Sequence, residues 1–235
     1  MPDKLPDVTI VIEWENAVDV EDKWTKRAMS TFEAEMLRCS SAFANRPTVL
    51  YLYDSKSVAP REIDEQLRST APNLREYCDV KLIAAPGLSY YKLKNRGAEL
   101  ATTDIVVMLD SDAGPRPGWL TALLAPFEDP DVKAVGGFTV LGHEDLLSRT
   151  MALSWIFDLP SEREKTTLRK KIHANNCAFR RDFLLNNPFP DLEAFKKQCG
   201  FWLRRIEARG IKWVRTPDAM TIHAPHPGGS FILWR

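Results

Sequence analysis

Apolar residues in this chain fall into short unbroken runs separated by stretches with helical spacing. Val8 to Trp14 (VTIVIEW), Thr48 to Asp54 (TVLYLYD), Val80 to Ala85 (VKLIAA) and Asp104 to Asp110 (DIVVMLD) are β-branched or aliphatic runs. Runs of this length and composition predict strands buried on both faces. Between them, Glu21 to Phe43 carries Trp24, Ala28, Phe32, Met36 and Leu37 at spacings of three and four, which predicts a helix with one apolar face. Pro60 to Leu67 predicts a short helix, with Pro60 suited to its first turn. Tyr90 to Ala101 and Pro117 to Phe127 predict two more helices, and Val132 to Val140 another strand with Gly136-Gly137 inside it.

Strands alternating with helices predict an α/β domain with a mainly parallel central sheet and helices on both faces. Ligands of such open sheets bind at the carboxyl ends of the strands. Asp54, Asp110 and the segment Glu13 to Asn16 all fall at that edge. The second half is less regular. His143 to Phe157 predicts an amphipathic helix, Asn175 to Arg181 a short strand, Phe195 to Arg209 a helix, and Lys212 to Arg215 and Ala219 to His223 two short strands. Ser161 to Lys171 has no apolar periodicity and suits a solvated loop; Arg169, Lys170 and Lys171 would let it serve as a flap over an anion. With no repeat and no linker-like segment, residues 1–235 form one domain on this reading, with a regular half over 7–140 and a less regular one over 141–235.

Composition narrows the partners. The 235 residues carry 32 basic and 32 acidic side chains, so no global charge draws the chain to nucleic acid or to an acidic membrane surface. Cys39, Cys78, Cys177 and Cys199 lie far apart, without the close spacing of a zinc or redox motif. Free thiols fit a reducing compartment, and the expected location is cytoplasmic. No stretch approaches the roughly 18 apolar residues of a membrane span. The chain stops at FILWR, just as an apolar stretch begins. The expectation is a truncation there, with any membrane association, at the cytoplasmic face, residing in a missing C-terminal segment.

The chemistry concentrates at DIVVMLDSDAGPRPGWL. Asp110 and Asp112 stand one residue apart where a buried run ends in a Gly/Pro turn. Paired carboxylates at a strand edge suit a hard divalent cation, Mn²⁺ or Mg²⁺. Such a cation can neutralise a departing diphosphate, which fits group transfer from an activated nucleotide. Asp-x-Asp by itself is a common pattern; its position after the fourth strand makes it more specific.

In this region the chain resembles the GT-A glycosyltransferases, in particular the inverting enzymes of family 2. NRGAELATTDIVVMLDSDAGPRPGWL places Asn95, Gly97, Ala101, Asp104, Asp110, Asp112, Pro117 and Trp119-Leu120 where that family has its recurring residues. VTIVIEWEN is similar to its opening strand, NNCAFRRDFL to a strand carrying an Asn and an Arg, and RIEARGIKWVRTPDAMTIH to its closing helix, strand and histidine. The resemblance runs from Val8 to His223 and implies a GT-A fold and a nucleotide-diphosphate sugar donor, with 7–140 as the nucleotide-binding half and 141–235 as the acceptor-side half. It implies that Asp54 meets the base, with Glu13, Glu15, Asn16 and Asn95 lining the donor pocket. It also implies that Asp110 faces the ribose or sugar, Asp112 is the main metal ligand and His223 completes the metal site, with His226 competing for that place. The acceptor is left open: a glycan, a lipid-linked glycan or a small molecule.

Two departures bear on function. The opening strand ends in Glu13-Trp14-Glu15-Asn16, where the family has a Pro-containing motif. Counting back from Gly210, Gln198-Cys199 stand where the family has a Glu-Asp pair that supplies the general base. Asp191 and Glu193, slightly upstream, are the alternative candidates for that base. The missing pair keeps open a second reading, a GT-A domain that binds nucleotide or sugar without transfer. A phosphatase of the haloacid dehalogenase type is a remote third, since its Asp-x-Asp follows the first strand. A nucleotidyltransferase would want a Gly-rich loop after the first strand, where this chain has Glu15 to Asp19. Tyr90-Tyr91 and the tryptophans, Trp119 and Trp202 above all, are candidates to stack on a sugar ring, though such rings also suit core packing, and Arg180-Arg181 and Arg204-Arg205 are candidates to touch phosphate.

Overall fold

The computed structural model describes residues 4–142, 159, 171–190, 192 and 198–225. Its strands are β1 (Val8–Glu13), β2 (Thr48–Tyr53), β3 (Asp79–Ala84), β4 (Ile105–Asp110), β5 (Ala113–Pro115), β6 (Ala134–Leu141), β7 (Asn176–Arg180) and β8 (Trp213–His223). They form one sheet in the order β3-β2-β1-β4-β7-β6-β8-β5. The first four are parallel. β7 runs antiparallel to both β4 and β6, β8 lies parallel to β6, and β5 pairs antiparallel with β8. The sheet is therefore a parallel half joined to a mixed half.

The apolar runs are explained by burial on both faces. On one face, Ile10 and Ile12 of β1 pack with Met29, Phe32 and Met36 of α2 (Asp22–Cys39), Ile63 and Leu67 of α3 (Pro60–Thr70), and Trp119 and Leu123 of α6 (Trp119–Leu124). On the other, Val11 packs with Leu93 and Ala98 of α5 (Tyr90–Leu100), Leu184 of α7 (Arg181–Asn186), and Trp202 and Ile206 of α8 (Gln198–Ala208). Two short helices, α1 (Glu15–Asp19) and α4 (Leu74–Tyr77), complete the set described.

The predicted strands of the first half recur within a residue or two of their expected bounds. Leu37 departs from the apolar face assigned to it and is 53% exposed, because the helix turns it away from the sheet. Lys212 to Arg215 and Ala219 to His223 are one strand, β8, whose register against β6 shifts between Gly136 and Phe138. The segment read as a Gly/Pro turn contains a strand, β5, held by β8. The predicted helix His143 to Phe157 and the run Ser161 to Lys170 lie outside the described residues, as do Asp191, Glu193 and His226.

Three glycines stand where packing or a turn leaves no room for a side chain or needs a positive φ. A β-carbon on Gly97 of α5 would fall 2.3 Å from Val11 Cγ1, so the bare glycine lets α5 settle onto β1. A β-carbon on Gly137 would fall 2.4 Å from the Asn176 amide, which occupies that space. Gly118 opens α6 with φ +91°, and Glu35 of α2 closes the turn by accepting the Gly118 and Leu120 amides at 3.1 and 2.9 Å.

Candidate active site

The carboxyl ends of β1 and β4 lie side by side, with Glu13 and Asp110 in register. Both carboxylates are buried; the chain surrounds Asp110 with donors, whereas Glu13 is met on Oε2 alone and its Oε1 accepts no hydrogen bond. Lys94 Nζ reaches Asp110 Oδ1 at 2.7 Å from one turn before Gly97 on α5. Tyr90, one turn earlier again, donates its hydroxyl to the same oxygen at 2.8 Å. Asn16 Nδ2 donates to Asp110 Oδ2 at 2.9 Å. Glu13 Oε2 accepts the backbone amides of Glu15 and Asn16 at 2.8 and 3.2 Å, so it starts α1 and aims Asn16 at Asp110. Glu13 therefore builds the site from beneath, a role hidden in the odd Glu-x-Glu-Asn string. Burial raises its carboxyl well above the usual range, and the charge of Asp110 adds to the rise.

His223 is delivered by the mixed half of the sheet. It ends β8, in register with Ala113 of β5 and with Leu141 of β6. The Ala224 amide donates to the Asp112 carbonyl at 3.1 Å, which locks the two segments together. His223 Nε2 then lies 3.4 Å from Asp112 Oδ1 and 3.6 Å from Asp110 Oδ2. Its Nδ1 is 2.8 Å from the Ala224 carbonyl, which can only accept, so Nδ1 carries a proton and Nε2 is the ring atom turned to the carboxylates. Burial works to lower the imidazole pKa, but the charges of Asp112 and Asp110 outweigh it and push it up to about 9. Burial raises Asp112 to about 6 against the pull of His223, with Asp110 adding to the rise. Burial also works to raise Asp110, and Lys94 and His223 overcome it, leaving that group below its ordinary value.

The fit to a divalent cation rests on orphaned oxygens. Both Asp112 carboxylate oxygens are buried and accept no hydrogen bond. One ligand atom from each of Asp110, Asp112 and His223 lies within 4.8 Å of the others. Buried carboxylate oxygens without donors are costly unless a cation meets them. Two carboxylates with an imidazole suit Mn²⁺, and Mg²⁺ through the oxygens.

Other expected site residues fall elsewhere. Asp54 lies at the same sheet edge two strands away, half-buried, and its Oδ1 accepts the Lys56 amide at 2.9 Å in a local turn. Glu15 is exposed. Asn95 clasps the backbone of Phe189, donating to its carbonyl at 2.9 Å and accepting its amide at 3.0 Å. Trp119 and Trp202 are core residues at 0% exposure, unable to stack on a sugar. Their indole N–H groups bond to Asn176 Oδ1 and the Asn187 carbonyl. Arg180 donates to the carbonyls of Val132, Phe127 and Asp129, and Arg181 to those of Ala98 and Glu99. Arg180 pairs with Ile105 at the amino end of β4, the edge opposite Asp110. Arg205 donates to the Pro188 carbonyl, and Arg204 lies over the Phe201 ring.

Gln198 is buried; its Nε2 donates to the Leu192 carbonyl at 2.9 Å, and its Oε1 has no partner. Cys199 hydrogen-bonds to Tyr91, the neighbour of Tyr90. Lys94 was missed as a site residue, and Tyr90, a candidate for sugar stacking, instead donates its hydroxyl to Asp110. Their four-residue spacing in YYKLKNRG places both on one helix face, and the Gly three residues after Lys94 marks that face as the one pressed to the sheet.

An Asp-x-Asp turn at the carboxyl edge of this sheet, closed by a histidine from the last strand, defines the GT-A glycosyltransferase fold. Solved structures agree on the fold. A mannosyltransferase of Pyrobaculum calidifontis in complex with GDP-Man and Mn²⁺ superimposes with a TM-score of 0.63 at 19% identity, over 99% of this chain and 62% of that one. GalNAc-T7 with UDP, GalNAc and Mn²⁺ gives 0.58 at 14%, over 96% and 45%. Residues 50–186 match the model of the family described as "Glycosyl transferase family 2", and the chain belongs to that family. It is 33% identical over 118 residues to a pre-mycofactocin glycosyltransferase of Mycobacterium tuberculosis, covering 49% of this chain and 23% of that protein. It is 47% identical over 55 residues to a glucosyl-dolichyl phosphate glucuronosyltransferase of Haloferax volcanii, 23% of this chain and 17% of the relative. The chain thus spans about a quarter or less of the length of these curated relatives.

Proposed function

We propose that this domain is a metal-dependent glycosyltransferase that moves a sugar from a nucleotide-diphosphate donor to an acceptor hydroxyl with inversion. The observation that carries the reading is the pair of donor-free buried oxygens on Asp112 beside His223 Nε2. Asp112 and His223 would hold Mn²⁺ or Mg²⁺. When bound, such an ion supplies Lewis-acid neutralisation of charge on a leaving diphosphate. Family membership supports the donor class and the inverting course. The names of the relatives, a pre-mycofactocin glycosyltransferase and a glucosyl-dolichyl phosphate glucuronosyltransferase, leave the acceptor of this chain open among glycan, lipid-linked and small-molecule classes.

The chain's own residues do the rest by positioning. Asn16, Tyr90 and Lys94 fix the Asp110 carboxylate at the strand end, where it can face the donor's ribose or sugar. On this reading Asp54, two strands along the same edge, would meet the base. An inverting displacement needs a base for the acceptor proton, and Asp191 and Glu193 are the proposed candidates. The four free thiols fit a reducing compartment, and the proposal places the domain in the cytoplasm.

A second reading has a specific observation in its favour. Gln198 and Cys199 occupy the place of the family's Glu-Asp pair, and neither can serve as base for a hydroxyl. On that reading the domain binds donor and does not transfer. The test is nucleoside diphosphate release from each common nucleotide sugar with Mn²⁺ and a panel of acceptors, with Asp112→Ala as control. Release from one donor that vanishes in the variant supports transfer. Calorimetric donor binding without release across the panel moves the conclusion to the second reading. Donor binding unchanged in Asp112→Ala overturns the metal site in both.

A further inference from the structure

Lys94 is a buried lysine at 0% exposure whose ammonium lies 2.7 Å from Asp110 Oδ1 and 4.7 Å from the centre of the Tyr90 ring. It also approaches the Leu109 carbonyl at 3.4 Å. Burying an ammonium is unfavourable without a partner, and here the partner is one of the two carboxylates of the Asp-x-Asp turn. Asp110 has three donors in this arrangement. Oδ1 takes Lys94 and Oδ2 takes Asn16 at 2.9 Å, while the one Tyr90 hydroxyl lies 2.8 Å from Oδ1 and 3.1 Å from Oδ2. Asp112, by contrast, accepts no hydrogen bond on either oxygen, and the His223 ring lies beside it with Nε2 3.4 Å from Oδ1. The two aspartates of one turn are thus prepared for different work, and a side chain from a different element makes the difference.

We propose that Lys94 is a built-in counter-charge that withholds Asp110 from the cation, so that the site takes up the metal together with an anionic diphosphate and poorly on its own. This rests on the reading of Asp112 and His223 as metal ligands. With Lys94 cancelling the charge of Asp110, a divalent ion arriving alone meets only Asp112 and the His223 ring beside it, 3.4 Å away. That donor set is too small and too weakly charged for tight binding of Mn²⁺. A nucleoside diphosphate supplies the missing charge and the missing oxygens. Metal and donor then bind as a unit, and the site stays unloaded when the donor is absent. Lys94 is a positioning residue in this scheme. It touches neither the metal nor the sugar.

A purely structural Lys94 and a counter-charge predict opposite signs. A structural prop that orients Asp110 for the metal weakens metal binding when removed. A counter-charge strengthens it, because Asp110 becomes an uncompensated carboxylate at the cation. An opposite charge within about 4–6 Å shifts a carboxylate's proton affinity by roughly ten- to a thousand-fold, and a doubly charged ion responds at least as strongly.

The experiment titrates Mn²⁺ into the whole protein by electron paramagnetic resonance and calorimetry, first without nucleotide and then with UDP or GDP. The variants are Lys94→Gln, Lys94→Met, Lys94→Arg, Tyr90→Phe and Asp112→Ala. Lys94→Gln keeps a donor and a long polar chain, which serves if Lys94→Met does not fold. The expected result is Mn²⁺ binding about tenfold tighter or more in the neutral Lys94 variants without nucleotide. The gain on adding diphosphate should shrink by the same factor. Lys94→Arg and Tyr90→Phe, which keep the charge, should stay within about twofold of the parent. Unchanged or weaker Mn²⁺ binding in Lys94→Gln, while Asp112→Ala loses the metal, overturns the counter-charge and leaves the proposed function standing. Mn²⁺ binding that survives Asp112→Ala overturns the metal site and the inference with it.

Discussion

Gly97 lies flush against Val11, so that any β-carbon there would sit 2.3 Å from Val11 Cγ1. Val11 is inside β1, whose side chains are buried throughout, and it has no room to retreat. Contact at this one point sets the height of α5 above the sheet, and with it the reach of Lys94 and Tyr90 to Asp110. Gly97→Ala should destabilise the fold by about 2 kcal/mol, as overpacked cores do. It should also lengthen the Lys94–Asp110 contact. Denaturant unfolding measures the first effect, and tighter nucleotide-free Mn²⁺ binding reports the second. A variant as stable as the parent would show that α5 can lift without strain.

Asn176 joins three elements that carry the site. Its Oδ1 accepts the Trp119 indole N–H at 2.8 Å, and its Nδ2 donates to the Ala219 carbonyl at 2.9 Å and to Thr221 Oγ1 at 3.2 Å. These bonds tie α6, which follows the Asp-x-Asp turn, to β8, which ends in His223. Asn176→Leu leaves the indole N–H and a carbonyl buried without their partner and should cost about 3 kcal/mol. Trp119→Phe removes one bond of the set, and the two changes should be less than additive in a double-mutant cycle. Additivity in unfolding free energy would mean that the bond contributes nothing specific.

Glu35 is the buried acceptor for the turn after the carboxylates. Its oxygens take the Gly118 and Leu120 amides and both the Nε and Nη2 of Arg38, each of the latter at 2.8 Å. Glu35→Ala strands those amides and should destabilise by about 3 kcal/mol, while Glu35→Gln, which keeps one acceptor oxygen, should lose about half of that. Thermal melts of the two variants beside the parent test the ranking. Equal loss in both would assign the effect to charge and not to the number of acceptors.

The thiols carry a pH signature. Burial pushes Cys39 up to about 11, with the charge of Glu35 adding to it, and pushes Cys78 up to about 12. A thiol reagent reacts with the thiolate, so both should be nearly inert in the folded protein at about pH 8 and react quickly in denaturant. The linkage sign follows from the raised values. The unfolded thiols ionise near their ordinary value of about 8.5 while the folded ones stay neutral. Their contribution to stability is therefore full below that pH and falls as the pH climbs through 9 towards 11 and beyond. Mass spectrometry of labelled peptides after a pulse of reagent reads each site separately. Rapid labelling of Cys39 or Cys78 in the native protein would contradict their burial.

The parallel half of the sheet was legible because β1, β2 and β4 are buried on both faces and must be apolar throughout, while the edge strand β3 (DVKLIA) keeps Asp79 and Lys81. VTIVIE, TVLYLY and IVVMLD can be little else. The edge at which Asp54, Glu13 and Asp110 gather followed from the direction shared by parallel strands. The Asp-x-Asp turn was legible because two carboxylates at the end of such a run need a partner. Trp119 and Trp202 misled for a related reason. A large ring beside a polar turn suits either a sugar or the core, and only packing decides which.

What the sequence determined by itself was local: which runs are strands, which face of each helix is apolar, and which strand ends carry charge. What the tertiary structure decided was pairing across long separations. β5 spans three residues with no strand periodicity, and it exists because β8 supplies its hydrogen bonds. That pairing, 110 residues apart along the chain at Ala113 and His223, is what sets the imidazole beside Asp112. Glu13 as a helix cap, Asn95 as a clasp on Phe189 and Lys94 as the partner of Asp110 belong to the same class. Each is a polar side chain whose role depends on which distant backbone or charge the fold brings within about 3 Å, and hydrogen bonds act only over that distance.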